Sequence, residues 1–183
     1  MKITGGNSLL DVKLIIMKSG LTEGMVVADL GCGSTGHFFF PAAETVGKTG
    51  RVYAVDIMKP VLESIKNRSR QRDFENVYPV WSNLESFNAT EIESGSLDMV
   101  FLVNTLYQSH KRVEIIKETV RMMKKGAKLI LVEWKNITLP FGPPVDERVK
   151  IDMLRDAAPR LGLSVDEEFF AGQYHFGLIM IKN

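Results

Sequence analysis

The stretch Met25 to Phe39, MVVADLGCGSTGHFF, decides the architecture. Met25, Val26, Val27 and Ala28 are apolar side chains in a row without alternation, followed by Asp29. A short continuous apolar run bounded by turn signals predicts a strand buried on both faces. Gly31, Gly33 and Gly36 come next, in a loop where glycine permits positive φ and lets a ligand approach the backbone. Beyond them, Phe38 to Val46 reads as a helix with Pro41 in its first turn, where proline is tolerated. The loop thus joins the carboxyl end of a strand to a helix N-terminus. In an open α/β sheet, ligands bind in the crevice at that place.

Outward from this unit the chain alternates strands and helices. Arg51 to Ile57 is a second strand ending near Asp56, which completes a βαβ unit. A helix over Lys59 to Arg70, a strand over Asn76 to Trp81 and a polar connection then lead to an apolar strand, Ser96 to Asn104. Arg112 to Lys124 reads as a helix with a basic last turn and Gly126 as its stop, before a strand over Lys128 to Trp134. Leu139 to Lys150 holds three prolines and a glycine, which excludes a regular helix throughout. Asp152 is placed to cap a last helix, and EEFFAG faces HFGLIMIKN across Gly172-Gln173-Tyr174 as a hairpin. At the other end, residues 1 to 8 show no periodic pattern, and Leu9 to Ser19 reads as an amphipathic helix stopped by Gly20. The pattern predicts one α/β domain over residues 1–183, with 1–20 as an N-terminal extension and helix. Its fold is a Rossmann-like, doubly wound, mostly parallel seven-stranded sheet, with one antiparallel strand from the C-terminal hairpin.

Composition narrows the function. A net charge of +1 gives no phosphate-tracking surface, so a nucleic-acid partner is not expected. One cysteine excludes an internal disulfide, and three histidines without ligand spacing argue against a structural metal. No apolar run approaches the ~20 residues that span a bilayer, and MKITGG lacks the apolar stretch of a signal peptide. The expected location is the cytoplasm, with no membrane partner.

Two readings compete for the glycine loop. Its spacing satisfies G-x-G-x-x-G, the dinucleotide fingerprint, with Asp56 twenty residues after Gly36 as the acid. Asp29 favours the other reading. A carboxylate at the mouth of a pyrophosphate site repels the ligand, whereas it suits one carrying an ammonium and a sulfonium.

Taken together, VVADLGCGSTG, GRVYAVDI, LDMVFLVNTLYQ and MMKKGAKLILVEW, in that order, resemble a small class I S-adenosylmethionine (AdoMet) methyltransferase of the type-11 or ubiquinone/menaquinone-biosynthesis-like group. D-x-G-x-G-x-x-G, Asp29 to Gly36, is similar to that family's first motif. The resemblance implies AdoMet as cofactor, with Asp29, Gly31, Gly33 and Gly36 around its methionyl part. It implies that Asp56 accepts both ribose hydroxyls, for which a carboxylate is the natural acceptor. Ile57 or Met58 would pack on adenine. Asn83, beside Leu84, stands where relatives carry an aspartate for the adenine amino group. Asn104 to Gln108 leaves the fourth strand where the family presents the methyl acceptor.

The implied reaction is in-line methyl transfer to a small, largely apolar acceptor. It needs little acid–base help, because the cofactor carries the activated group. His110 and Tyr107 are the candidate catalytic side chains. Phe38 to Phe40, Leu106, Tyr107, Trp134 and Phe141 are expected to surround the acceptor, with Asn104, Gln108, His110 and Arg148 as the polar members that orient it. A nicotinamide-dependent oxidoreductase and a non-catalytic AdoMet-binding protein stand as alternatives.

Overall fold

The computed structural model describes residues 9–183; the expectation for residues 1 to 8 lies outside them. The chain runs α1 (Val12–Ser19), β1 (Val26–Leu30), α2 (Phe39–Val46), β2 (Arg51–Asp56), α3 (Lys59–Gln71), β3 (Val77–Trp81), β4 (Leu97–Val103), α4 (Arg112–Met122), β5 (Met123–Trp134), α5 (Ile151–Ala157), β6 (Leu163–Gly172) and β7 (His175–Lys182). The strands form one seven-stranded sheet in the order β3-β2-β1-β4-β5-β7-β6. β1 to β5 pair in parallel, and β7 runs antiparallel to both β5 and β6.

The burial of each strand follows its place in this order. β1 and β4 are almost wholly buried because helices cover both faces, which is why neither sequence alternates. Val27, Phe39, Phe101 and Ile130 share the core under α1, α2 and α3. Leu30, Leu102, Ile115 and Leu131 share the opposite core under α4 and α5. β3 forms an edge, where Pro79 costs no ladder bond that a central strand would need. β6 forms the other edge and carries Asp166, Glu167 and Glu168, charges that discourage pairing with another chain.

Local chemistry sets several boundaries. Asp11 caps α1 by accepting a hydrogen bond from the Leu14 amide at 2.9 Å, so the helix starts later than its apolar pattern. α4 ends at Met122, not at the basic run. Met123 pairs with Leu97, and Lys128 with Met99, so Lys124 to Gly126 bulge within a long β5 rather than closing the helix. Asp152 lies inside the first turn of α5, whose N-cap is Lys150.

The irregular segment 82–96 is fastened from below. Glu118 of α4 is fully buried and accepts bonds from the Asn88 and Thr90 amides and from the Arg121 guanidinium, at 2.7 to 3.0 Å. Burial pushes this carboxyl up, but the Arg121 fork, the two amides and the Thr90 hydroxyl outweigh it and hold the pKa at about 2.

Candidate active site

The strand order reverses between β1 and β4, so the loops leaving their carboxyl ends diverge and open a crevice. A cleft of about 390 Å³ lies there, within the range of small-molecule sites. Gly31 and Gly33 form one wall, Asp56 to Met58 a second, Ser82 to Glu85 a third, and Thr105, Gln108 and Ser109 the fourth.

The glycine loop is shaped by what it touches. Gly31 has φ +76°, and a Cβ there would stand 2.5 Å from the Thr105 hydroxyl oxygen. Gly33 has φ +62° and nothing within 4 Å of a Cβ, so its backbone faces open space. Gly36 does not line the cleft; it lets α2 pack against Ile65. Four of the loop amides are already engaged. Gly31 and Cys32 donate to the Val55 carbonyl, Gly36 to the Gly33 carbonyl, and Gly33 to Asp56 Oδ2 at 3.2 Å. A pyrophosphate needs such amides free.

Asp56 sits at the end of β2, and its other oxygen accepts the Met58 amide at 2.9 Å. Ile57 and Met58 beside it are each 57% exposed, an apolar surface suited to a flat ring. Asn83 lines the cleft, while its side-chain oxygen accepts the Glu85 amide at 3.0 Å, the closure of an Asx turn. Leu84 lines the same wall.

Asp29 lies deeper, buried among core side chains near the head of α2. Burial raises its pKa from 3.8 to about 7, opposed by the Phe39 amide and reinforced by the Asp56 charge. A buried acid held this way is one that a nearby cation would ionise. No lysine or arginine is among the residues lining the cleft, which holds two carboxylates, Asp56 and Glu85.

Other expected site residues fall elsewhere. His110 is exposed and does not line the cleft. Tyr107 is half-buried behind the cleft wall; burial, then the Glu133 and Glu147 charges, push its phenol up. Asn104 is buried at φ +52°, and its carbonyl accepts the Gln108 side chain at 2.7 Å. The aromatic run expected around an acceptor is core instead. Phe38 stacks on Phe101 with centroids 5.8 Å apart, and Phe40 packs between Phe39 and Phe74. Arg148 turns inward and donates to the Lys135, Ile137, Phe141 and Pro143 carbonyls, tying the proline-rich loop to itself. Ser109 and Glu85 line the cleft without having been expected from sequence, while Thr105 falls within the expected 104–108 stretch. The signal for Glu85 was its nearness to Asn83; Ser109 gave none.

A seven-stranded sheet with β7 reversed, and a cleft at its switch point, are the architecture of the class I methyltransferase fold. Comparison with known proteins agrees: residues 21–156 match a family described as a methyltransferase domain. The chain belongs to that family. It is 29% identical over 124 residues to a demethylmenaquinone methyltransferase of Lactococcus lactis, covering 68% of this chain and 48% of that one. It is 26% identical over 157 residues to a ubiquinone/menaquinone biosynthesis C-methyltransferase of Hydrogenovibrio crunogenus, covering 85% and 59%. The chain therefore spans about half the length of the curated relatives it matches. A methyltransferase of Aquifex aeolicus described as SAM dependent superposes with a TM-score of 0.85 at 24% identity, covering 96% of this chain and 92% of that one.

Proposed function

We propose that this chain binds AdoMet in the cleft and transfers its methyl group to a small, ring-bearing acceptor of the quinone type. The observation that carries the cofactor is the electrostatics of the site. Four of its loop amides are engaged, its lining charges are carboxylates, and a third acid is buried behind the loop; a cationic sulfonium ligand suits this, and a dinucleotide does not. The ring-bearing acceptor rests on the names of the relatives. Near-neutral net charge favours a small molecule over a nucleic acid. Among the described residues no helix is long and apolar enough to cross a membrane, which is compatible with work in the cytoplasm.

When bound, the cofactor supplies an activated methyl group on a positively charged sulfur. The chain's own residues bind and orient. Asp56 accepts the ribose hydroxyls while Ile57, Met58 and Leu84 pack around adenine, with the Asn83 amide at its edge. Asp29 balances the ammonium from below the glycine loop. Tyr107 stands outside the cleft lining, so we assign it no contact with the acceptor in this arrangement. His110 reaches the cleft only by moving in from the surface, so we assign it no proton transfer in this arrangement.

S-adenosylhomocysteine at ~100 times its dissociation constant should stabilise the protein by about 2.7 kcal/mol, read as a rise in melting temperature, and NADH should not. A rise with NADH alone would reject the cofactor assignment. Asp56→Ala should cost about 1.5–3 kcal/mol of S-adenosylhomocysteine binding, and Asn83→Ala about 0.5–1.5 kcal/mol, because only the first removes a charged acceptor. Calorimetric titration of both variants checks the order; a larger loss at Asn83 would remove Asp56 from the ribose.

A further inference from the structure

The turn after β4, residues 105–109, supplies a cleft wall and is a single 3-10 turn closed by two backbone bonds, from Gln108 to Thr105 and from Ser109 to Leu106. It is gripped from two sides by residues outside the cleft. On one side stands Glu133, fully buried near the end of β5. Its Oε1 accepts the Leu106 amide at 2.7 Å, and the Thr105 and Tyr107 amides also favour its charge. On the other side stands Arg112, the first residue of α4. Its Nε donates to the carbonyls of Leu106 and Ser109, each at 3.1 Å, and its Nη2 to the carbonyl of Glu147 in the proline-rich loop. Glu133 therefore holds the Leu106 amide while Arg112 holds the carbonyls of Leu106 and Ser109.

A charged residue inside an otherwise apolar central strand is costly unless something depends on it. Leu129, Leu131 and Val132 around it are fully buried. Burial raises the Glu133 pKa to about 8, against the pull of the Leu106, Tyr107 and Thr105 amides and of Arg112. Burial thus favours the neutral form of the side chain, and its Oε1 faces the turn. Three consequences reach the cleft. The turn places Thr105 against Gly31, where the Thr105 hydroxyl donates to the Leu30 carbonyl at 3.0 Å. It places Ser109 against Glu85, at 2.7 Å. It aims Gln108 into the cleft.

We propose that Glu133 and Arg112 are positioning residues that clamp the 105–109 turn in the shape the cofactor cleft requires. Through the Glu147 carbonyl the clamp also joins the proline-rich loop after β5 to that cleft wall. This rests on the AdoMet reading above, but the clamp can be tested without it.

The test compares the full chain with Glu133→Gln and Glu133→Leu, by calorimetric titration with S-adenosylhomocysteine and by amide hydrogen exchange. Glutamine keeps a carbonyl oxygen for the turn and mimics the neutral acid; leucine keeps only volume. Glu133→Leu should bind about tenfold or more weakly, with the amides of residues 105–107 exchanging at least about tenfold faster, as loss of a buried acceptor demands. Glu133→Gln should restore both to within about threefold of the parent, which a merely volumetric role would not achieve. Parental affinity or parental exchange in Glu133→Leu would overturn the clamp. Should Glu133→Leu fail to fold, Arg112→Met carries the test: it should weaken binding and speed exchange at residues 106–109, and unchanged values would overturn the proposal. A parent chain that binds no S-adenosylhomocysteine would reject the cofactor reading and the clamp's link to it, while the exchange data still decide whether the clamp holds the turn.

Discussion

Glu118→Ala is expected to destabilise the fold by about 3–5 kcal/mol, the usual result of removing one partner of a buried ion pair. The side chain is 0% exposed and Arg121 only 9%. Deleting the carboxylate removes the charge partner of the guanidinium, which keeps its bonds to the Thr90 and Ile92 carbonyls and to Ser94, and leaves the buried Thr90 amide without its acceptor. Segment 82–96 loses its anchor, and with it the cleft wall carrying Asn83 and Leu84. Urea denaturation of the variant reads the cost; a loss under about 1 kcal/mol would show that the pair contributes little. The pH dependence has a definite sign. The folded pKa is depressed to about 2 from 4.5, so this stabilisation is fully present above pH 4.5. It drains away as pH falls from there toward 2, and Glu118→Gln should flatten that limb of the stability curve.

Cofactor affinity should rise with pH and then level off near pH 7, because Asp29 must lose a proton to face an ammonium. Its pKa in the free protein is about 7, so the folded chain holds this proton between about pH 4 and 7, where the unfolded chain has released it. Folding stability attached to Asp29 therefore falls as pH rises through that window. Glu133, raised to about 8 by burial, contributes in the same direction up to its own value. Binding of S-adenosylhomocysteine pulls the Asp29 pKa down, so affinity should change by up to ~10-fold per pH unit below 7. Titrations at pH 5, 6, 7 and 8 should show the rise and plateau. At pH 6, buffers of different ionisation enthalpy should reveal about one proton released. Asp29→Asn should bind more weakly at pH 7.5 and show a flat profile. An unchanged rise in that variant would assign the proton elsewhere.

The readable parts of the molecule were those whose physics is local. The four apolar residues before Asp29, the glycines after it and the strand ending at Asp56 predicted a strand–loop–helix crevice, and the cleft lies there. Where local signals misled, a distant partner prevailed. Lys124 to Gly126 carry the marks of a helix end, yet pairing of Met123 with Leu97 draws the segment into β5. Asn83 is not such a case: it lines the cleft, and its oxygen closes a local turn on Glu85, two residues on. The aromatic run Phe38 to Phe40 resembles a pocket lining, but the face α2 turns to the sheet makes it core.

Sequence alone determined the class of fold, the glycine loop that borders the cleft and the acid that ends β2. Each depends on apolar periodicity or on φ values that only neighbouring residues must satisfy. Tertiary structure alone decided which side chains meet in the cleft and what holds them. Thr105 meets Gly31, Ser109 meets Glu85 and Glu133 meets Leu106 across separations of more than twenty residues. Those meetings follow from strand order and register. A shift of one residue in β4 or β5 would turn every such side chain to the other face of the sheet, and nothing in the local sequence of the turn records that choice.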